Sequence, residues 1–397
     1  MTTAPMSRPP AGPQGAVLLA LSAVDAVATG VILPALPFFA LDMGAGPVAV
    51  GALFAASAVT QLLLAPMWGG LADRIGTRRL LMVAPLVAAA GHLTLALSQD
   101  YPTMFVARVL AGTGGAVPVL LQTHMVGRIA GDARTVMIGR LTAVQGAGTI
   151  VGPALGALAV PYGIGPVGTV AAAAAFAAAV LATRVSTGEP AAGTVRKPVL
   201  GAIGSLLRSR RLRPLAAIAF VGWFGFTGYA TVLPLFLHEE FRISSTAYGG
   251  LMAISGIVAL LVRGLLLSRL VSRFGEPGLM VAGALLLATS MALVPLLPTV
   301  WWTPLLPLTY AIGAGLLFPC QVTRMSRSAP NGAAGLALGG NATVGGIGTV
   351  LGPLAVGGLF VSLSGGLFAL GAVLFTVVAM IALVTQFIPT RKAHVAP

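Results

Sequence analysis

Charge is what this sequence has least of. Only 8% of its 397 residues are charged and 57% are hydrophobic, whereas a soluble domain carries about 25% charged residues. With a mean hydropathy of +0.97, the chain cannot cover its surface with polar groups, so lipid must be its solvent. Acids are scarcer still: 9 Asp and Glu stand against 23 Lys and Arg, a net charge of +14. A single cysteine, Cys320, excludes an intrachain disulfide and any CxxC motif. The four histidines (His92, His124, His238, His394) are dispersed and lack zinc-site spacing. No GxxxxGKS or GxxxxGKT stretch appears, which argues against a nucleotide-driven pump. No nucleophile–base set suggests an enzyme. The basic residues form no face with aromatics, so nucleic acid is not an expected partner.

What the sequence does have is long apolar runs. A bilayer core needs roughly 20 apolar residues as helix, and such windows recur at 15–40, 47–70, 79–98, 101–127, 135–160 and 166–184. They continue at 214–238, 246–267, 278–297, 300–322, 333–361 and 366–388. The first follows a tail whose one charge is Arg8. It is too long for the apolar region of a signal peptide, and similar runs follow it to the end. The expected fold is all-α, with twelve transmembrane helices in two pseudo-symmetric six-helix bundles. The chain divides into a tail (1–14), a first bundle (15–184), a linker (185–213), a second bundle (214–388) and a tail (389–397).

The connectors support that count. With both termini inside, every basic residue except Arg108, Arg242 and Arg263 falls on or beside a cytoplasmic segment, while the outer loops hold Asp42, Asp100, Glu239 and Glu240. This is the positive-inside pattern, with Arg242 as its exception. The linker ends in a basic amphipathic piece, Ser205–Arg213, of a kind that lies along anionic headgroups. Its plainer reading is topogenic charge.

The chain also repeats itself at an offset of 199 or 200 residues. "GAGTIVGP" at Gly146–Pro153 returns as "GIGTVLGP" at Gly346–Pro353, and Leu33-Pro34 as Leu233-Pro234. "LADRIG" at Leu71–Gly76 returns, weakened, as "LVSRFG" at Leu270–Gly275. Three matches at one offset indicate a duplicated six-helix unit, as found in transporters that alternate access around a central site.

Four stretches carry a family resemblance. "GGLADRIGTRR" (Gly69–Arg79) resembles the loop motif of the major facilitator superfamily. "RVLAG" (Arg108–Gly112) resembles its fourth-helix motif, and "GTIVGPALG" (Gly148–Gly156) the fifth-helix motif of its drug/proton antiporters. "DAVATGVILPALP" (Asp25–Pro37) resembles the first helix of tetracycline and multidrug exporters. The resemblance covers all twelve spans and implies export by alternating access.

It also implies roles. Asp73, with Gly69, Arg74, Gly76, Arg78 and Arg79, would form a gating loop whose contact exists in one access state. The family places a basic residue where this chain has Thr77, and Arg78 is the nearest substitute; Ser272 replaces the acid in the second half. Gly148, Gly152 and Gly156, spaced by four, make a groove for close helix approach, and Pro153 kinks that helix. In the family this motif accompanies exporters and seals the halves against leak.

Charged residues at membrane depth are functional by default. Asp25 lies ten residues into its span, roughly 15 Å deep at 1.5 Å per residue. A proton antiporter needs one such titrating acid, and Arg108 would tune it. Arg263 either lines the cavity or snorkels. The tetracycline exporters carry another acid in the third span, where this chain has Gly91 and His92. His92 either titrates in its place or is a packed polar residue. Thr29, Gln61, Gln145, Trp223, Phe226, Tyr229, Tyr310, Gln321 and Asn341 sketch, with Asp25, Arg108 and Arg263, a mostly apolar substrate cavity. The expectation is a monomeric, multi-pass exporter of a small lipophilic drug or natural product in a bacterial inner membrane. The proton is the coupling ion, with no other cofactor and no metal. The alternatives are a sugar or metabolite exporter of the same fold and a non-transporting receptor or scaffold.

Overall fold

In lipid, a continuous apolar segment can satisfy its backbone internally only as helix or closed barrel. The computed structural model describes residues 13–125, 131–186, 199–330, 334–363 and 365–387, and every regular element among them is helical. The first half holds α1 (Pro13–Ile32), α2 (Leu36–Asp42), α3 (Pro47–Ile75), α4 (Thr77–Ala96), α5 (Tyr101–Gly114), α6 (Val117–Met125), α7 (Gly131–Ala159) and α8 (Ile164–Ala182). The second holds α9 (Val199–Arg208), α10 (Arg213–Phe241), α11 (Ser245–Leu261), α12 (Leu267–Leu293), α13 (Leu305–Ser328), α14 (Ala334–Leu363) and α15 (Gly366–Val384). Arg8, Arg128, Arg196, Lys197, Arg391 and Lys392 lie outside the described residues, as do the side chains of Asp73 and Arg134.

Eleven of the described stretches are long and apolar enough to cross a membrane. One of them, Ser245–Leu296, runs for 52 residues, about 78 Å of helix against a hydrocarbon core of about 30 Å. It turns at Gly275, whose φ of 71° and ψ of 164° are not helical. It is therefore two crossings, which makes twelve.

The described residues form two units. One lies within Met1–Arg196 and includes Ser244–Ala253; the other comprises Lys197–Ile243 and Ile254–Pro397 where described. Inside the first, the Tyr248 and Phe38 rings lie 5.5 Å apart.

The sequence repeat reappears as a repeat of packing. In the first unit α7 lies on α1, and a Cβ on Gly148 would come within 2.6 Å of the Ala23 carbonyl oxygen and the Ala26 side chain. One on Gly152 would come within 2.7 Å of Gly30 Cα and the Val27 oxygen, and one on Gly156 would overlap the Val31 carbonyl. In the second unit α14 lies on α10, where Gly348 meets Phe220 and Phe224, and Gly352 meets Phe224 and Thr227. Lipid offers no hydrophobic drive for helices to associate, so such close van der Waals contact is what joins them. The repeated loop keeps its conformation too. Gly76 (φ 90°) and Gly275 (φ 71°) both occupy the positive-φ region that favours glycine.

Elsewhere the copies differ. Pro34 and Pro37 interrupt the first span between α1 and α2, leaving a turn in which Leu33 N–H donates to the Gly30 oxygen (3.2 Å). Pro234, the copy of Pro34, sits inside the continuous α10. Two prolines within one turn remove two helical donors; a single proline removes one. The fourth span is likewise two helices, α5 and α6, parted at Gly115. Asp100 caps α5 by accepting from Thr103 N–H at 2.8 Å, which holds its carboxyl below the ordinary range.

Each half fastens its last helix in a similar way. Arg78 Nη2 donates to the Thr183 carbonyl at the end of α8 (2.5 Å). Arg324 Nη2 donates to the Thr385 carbonyl just past α15. Guanidinium at a helix C-terminus satisfies orphan carbonyls and favours the dipole.

Glycine substitutions test this packing. Gly152→Val is expected to lower unfolding stability by about 1–3 kcal/mol or more, since the intruding methyls meet backbone. In Gly70→Ala nothing lies within 4 Å of the new Cβ, so no loss is expected. Thermal unfolding of the two purified variants checks both outcomes.

Candidate functional site

The polar residues at membrane depth fall into one set within each unit. In the first, Asp25 sits on α1 between Ala23 and Val27, two residues whose backbones meet Gly148 and Gly152 of α7. Asp25 is two residues from each, so it lies on the side of α1 turned away from that glycine contact. No described residue donates a hydrogen bond to the half-buried Asp25 carboxyl, and none forms an ion pair with it. Thr29, predicted to line the cavity, is exposed, and its hydroxyl donates to the Asp25 backbone oxygen at 3.3 Å.

Arg108 is 4% exposed on α5. Its Nη2 donates to Ser57 Oγ at 2.5 Å and its Nε to the Leu53 carbonyl at 3.4 Å, both on α3. The motif explains why. Gly112, one turn beyond Arg108, lets α5 approach so closely that an added Cβ would lie 2.6 Å from Ser57 Cα. The same glycine that closes the gap brings Ser57 within reach of the guanidinium. Sequence reasoning missed Ser57, an unremarkable serine in an apolar span; the glycine facing it was the available signal. Arg108 was expected to tune Asp25, yet the two form no ion pair here. Its partners are α3 oxygens because the Gly112 contact places α3 nearest.

His92, on α4, is 4% exposed, and its Nδ1 has no hydrogen-bond partner among the described residues. Its neighbour Gly91 packs against the backbone of Ala107 and Ala111 on α5, with a Cβ position 2.9 Å from the Ala107 oxygen. Gln61 is exposed and is held by donation from Nε2 to the Gly115 carbonyl at 2.5 Å. Gln145 is partly buried on α7. In the loop, Gly69 is buried, Arg74 and Arg79 are exposed, and Arg78 caps α8. Its guanidinium reaches Thr183 because α4 starts immediately after Gly76.

The second unit holds an aromatic group. Trp223 lies 4.9 Å from Phe318, Phe226 stacks on Tyr310 at 5.5 Å, and Tyr229 stacks on Tyr310 at 4.1 Å. Only part of it is accessible. Trp223 is 38% exposed, whereas Tyr229 and Tyr310 are 4% and 6% exposed. Ser290 Oγ donates to the Leu306 carbonyl (2.8 Å), so the Tyr229 hydroxyl is the donor in its 3.3 Å contact with Ser290 Oγ. Tyr229 and Tyr310 were expected to line the cavity; they pack inside the unit, where Tyr229 finds its buried hydrogen bond. Asn341 is also interior. Its Oδ1 accepts from Gln321 Nε2 at 2.8 Å, and that amide also donates to the Leu215 carbonyl at 2.8 Å.

Arg263 lies in a π-helical turn, Val262–Leu266, between α11 and α12. Its Nε and Cγ run 3.7 Å from the Cβ position of Gly315 on α13, so the side chain lies along a neighbouring helix. Such π turns occur often at functional sites. Sequence reasoning also missed Glu276. It follows the Gly275 turn, is 7% exposed, and pairs with Arg327 at 2.6 Å. Its place next to a turn glycine made it read as loop. No group of His, Cys, Asp and Glu among the described residues could hold a metal ion.

Comparison with known proteins agrees with this architecture. The sequence profile of the Major Facilitator Superfamily matches residues 18–353. The chain is 28% identical to multidrug resistance protein 2 of Bacillus subtilis (strain 168) over 362 residues, covering 88% of each. It is 31% identical to the class D tetracycline resistance protein of Salmonella ordonez over 315 residues, 76% of this chain and 78% of that one. Among solved structures, the human organic anion transporter MFSD10 (TETRAN) superposes with a TM-score of 0.69 at 20% identity, covering 94% of this chain and 98% of that one. The nucleoside transporter NupG superposes with a TM-score of 0.69 at 15% identity, covering 95% of this chain and 98% of that one. Those two likenesses speak for the fold alone. With its twelve crossings and duplicated halves, the chain belongs to the Major Facilitator Superfamily, and it is a membrane transporter, not an enzyme.

Proposed function

We propose that this transporter exports a small lipophilic drug or natural product in exchange for protons, by alternating access. The observation that carries the reading is the Asp25 carboxyl. It sits well inside a membrane helix, half-buried, with no hydrogen-bond donor and no ion-pair partner among the described residues. A carboxylate locked in an ion pair would hold its charge through the cycle. One without a partner is free to exchange a proton with whichever side it faces. The names of the relatives, multidrug and tetracycline resistance proteins, support the substrate class.

In the proposed cycle Asp25 takes a proton from the outside, which weakens substrate binding and permits return of the empty carrier. On the inside the proton leaves and substrate binds. Arg108, held by Ser57 and Leu53, supplies a steady positive charge in the same half and takes part in proton coupling. Trp223 and Phe226 offer accessible aromatic surface to an apolar solute. Asp73 and its arginines hold one access state. The protein acts as a monomer in a bacterial inner membrane with both termini in the cytoplasm, and the proton is its coupling ion.

Two measurements test this. In inverted vesicles, dye uptake driven by a proton gradient is expected in the parent and absent in Asp25→Asn. Dye binding should weaken in that variant, because the neutral amide mimics the protonated, low-affinity acid. Gradient-driven uptake that survives Asp25→Asn refutes the coupling role. Ser57→Ala leaves the buried Arg108 one partner short and is expected to cost about 1–3 kcal/mol of stability. Transport should fall with it, and thermal unfolding alongside uptake separates the two effects.

A further inference from the structure

The side chains around α9 divide sharply. Within the second unit α9 packs on α14 and α10. Leu206 is fully buried and Leu212, at the turn into α10, is 5% exposed. Around these two anchors Arg208, Arg210, Arg211 and Arg213 are all exposed, as is Leu207 at 52%. Ser209 fixes the turn: its Oγ accepts from Leu212 N–H at 3.4 Å, and its carbonyl accepts from Arg213 N–H at 2.9 Å. None of the four guanidiniums forms an ion pair with a described residue, and no acid occurs from residue 199 to residue 213. Arg213 is also the first residue of the membrane-crossing α10, which puts the whole cluster at the depth of lipid headgroups.

We propose that this cluster binds the phosphate headgroups of anionic phospholipids, with Leu207 against their acyl chains. Guanidinium matches phosphate through paired N–H donors, and basic clusters beside a membrane helix attract anionic lipid. Orienting the chain requires only charge near the helix ends. A helix end and turn pinned by buried Leu206 and Leu212, with four arginines outward, goes further, because it holds the charges in a fixed array. The inference rests on α10 crossing the membrane and is independent of the exported compound, so its failure would leave the transport reading untouched.

The test uses the purified full-length chain in detergent, titrated with phosphatidylglycerol, phosphatidylcholine or free glycerol 3-phosphate. Bound lipid is counted by native mass spectrometry and thermal unfolding is followed in parallel. Phosphatidylglycerol is expected to bind and to raise the unfolding temperature, while the other two do neither. Joint replacement Arg208→Gln, Arg210→Gln, Arg211→Gln and Arg213→Gln should weaken phosphatidylglycerol binding about tenfold or more, whereas Arg269→Gln with Arg273→Gln should leave it within about twofold. If the fourfold variant does not fold, Arg210→Gln with Arg211→Gln is read instead, with a loss of about threefold expected. Undiminished binding in whichever variant is read overturns the proposal. So does an equal loss in the Arg269 and Arg273 control, which would show general charge attraction. Full stabilisation by glycerol 3-phosphate would overturn it as well, since the site would then be one for free anions.

Discussion

The contact on which each half depends is backbone against backbone: α7 on α1, and α14 on α10. Water supplies no squeeze between helices inside a bilayer, so they hold together where small residues let them come close. Gly148, Gly152 and Gly156 provide that surface in one half, and Gly348 and Gly352 in the other. Each groove also fixes a second feature. In the first half it seats α7 on Ala23, Val27 and Gly30, which turns Asp25 to the other side of α1. In the second it sets α14 against Phe220, Phe224 and Thr227 on the helix that carries Trp223 and Phe226.

The duplicated scaffold therefore hosts two chemistries. Asp25 corresponds, at the offset of 200, to Gly225. A Cβ on Gly225 would meet the Phe375 ring at 2.6 Å, so that position is given over to packing. The first half collects Asp25, Arg108 and His92. The second collects stacked aromatics and puts its buried acid, Glu276, at the turn before a helix instead of within one. In the proposed cycle, proton exchange and apolar recognition fall to different copies of one fold. That division follows from what each copy buries.

Much of this was legible in the sequence, because membrane helices announce themselves by length and composition and a repeated motif implies repeated packing. The twelve crossings and the glycine grooves belong to this class. The partners of individual side chains were not legible. Nothing in an apolar span marks Ser57 as the residue facing Arg108, since that depends on how closely Gly112 allows two helices to approach. Tyr229 and Trp223 lie on the same helix and look alike as cavity candidates. Their faces differ, and only packing separates the tyrosine that bonds Ser290 from the tryptophan that stays accessible. The break at Pro34 and the π turn at Arg263 depend on local hydrogen bonding, which hydropathy does not record.

The two arginine contacts at the helix ends have a consequence for the chain as an object. Arg78 holds the carbonyl of Thr183, and Arg324 holds that of Thr385. In each case a guanidinium from the interior of the half closes off its last helix, much as a clasp secures the end of a strap. Both ends of each clasp lie on the same side of the linker. A break in the polypeptide between residues 186 and 199 would sever neither. Each half carries its own fastening, and the two are not copies of one another: at the offset of 200, Gly278 stands for Arg78 and His124 for Arg324.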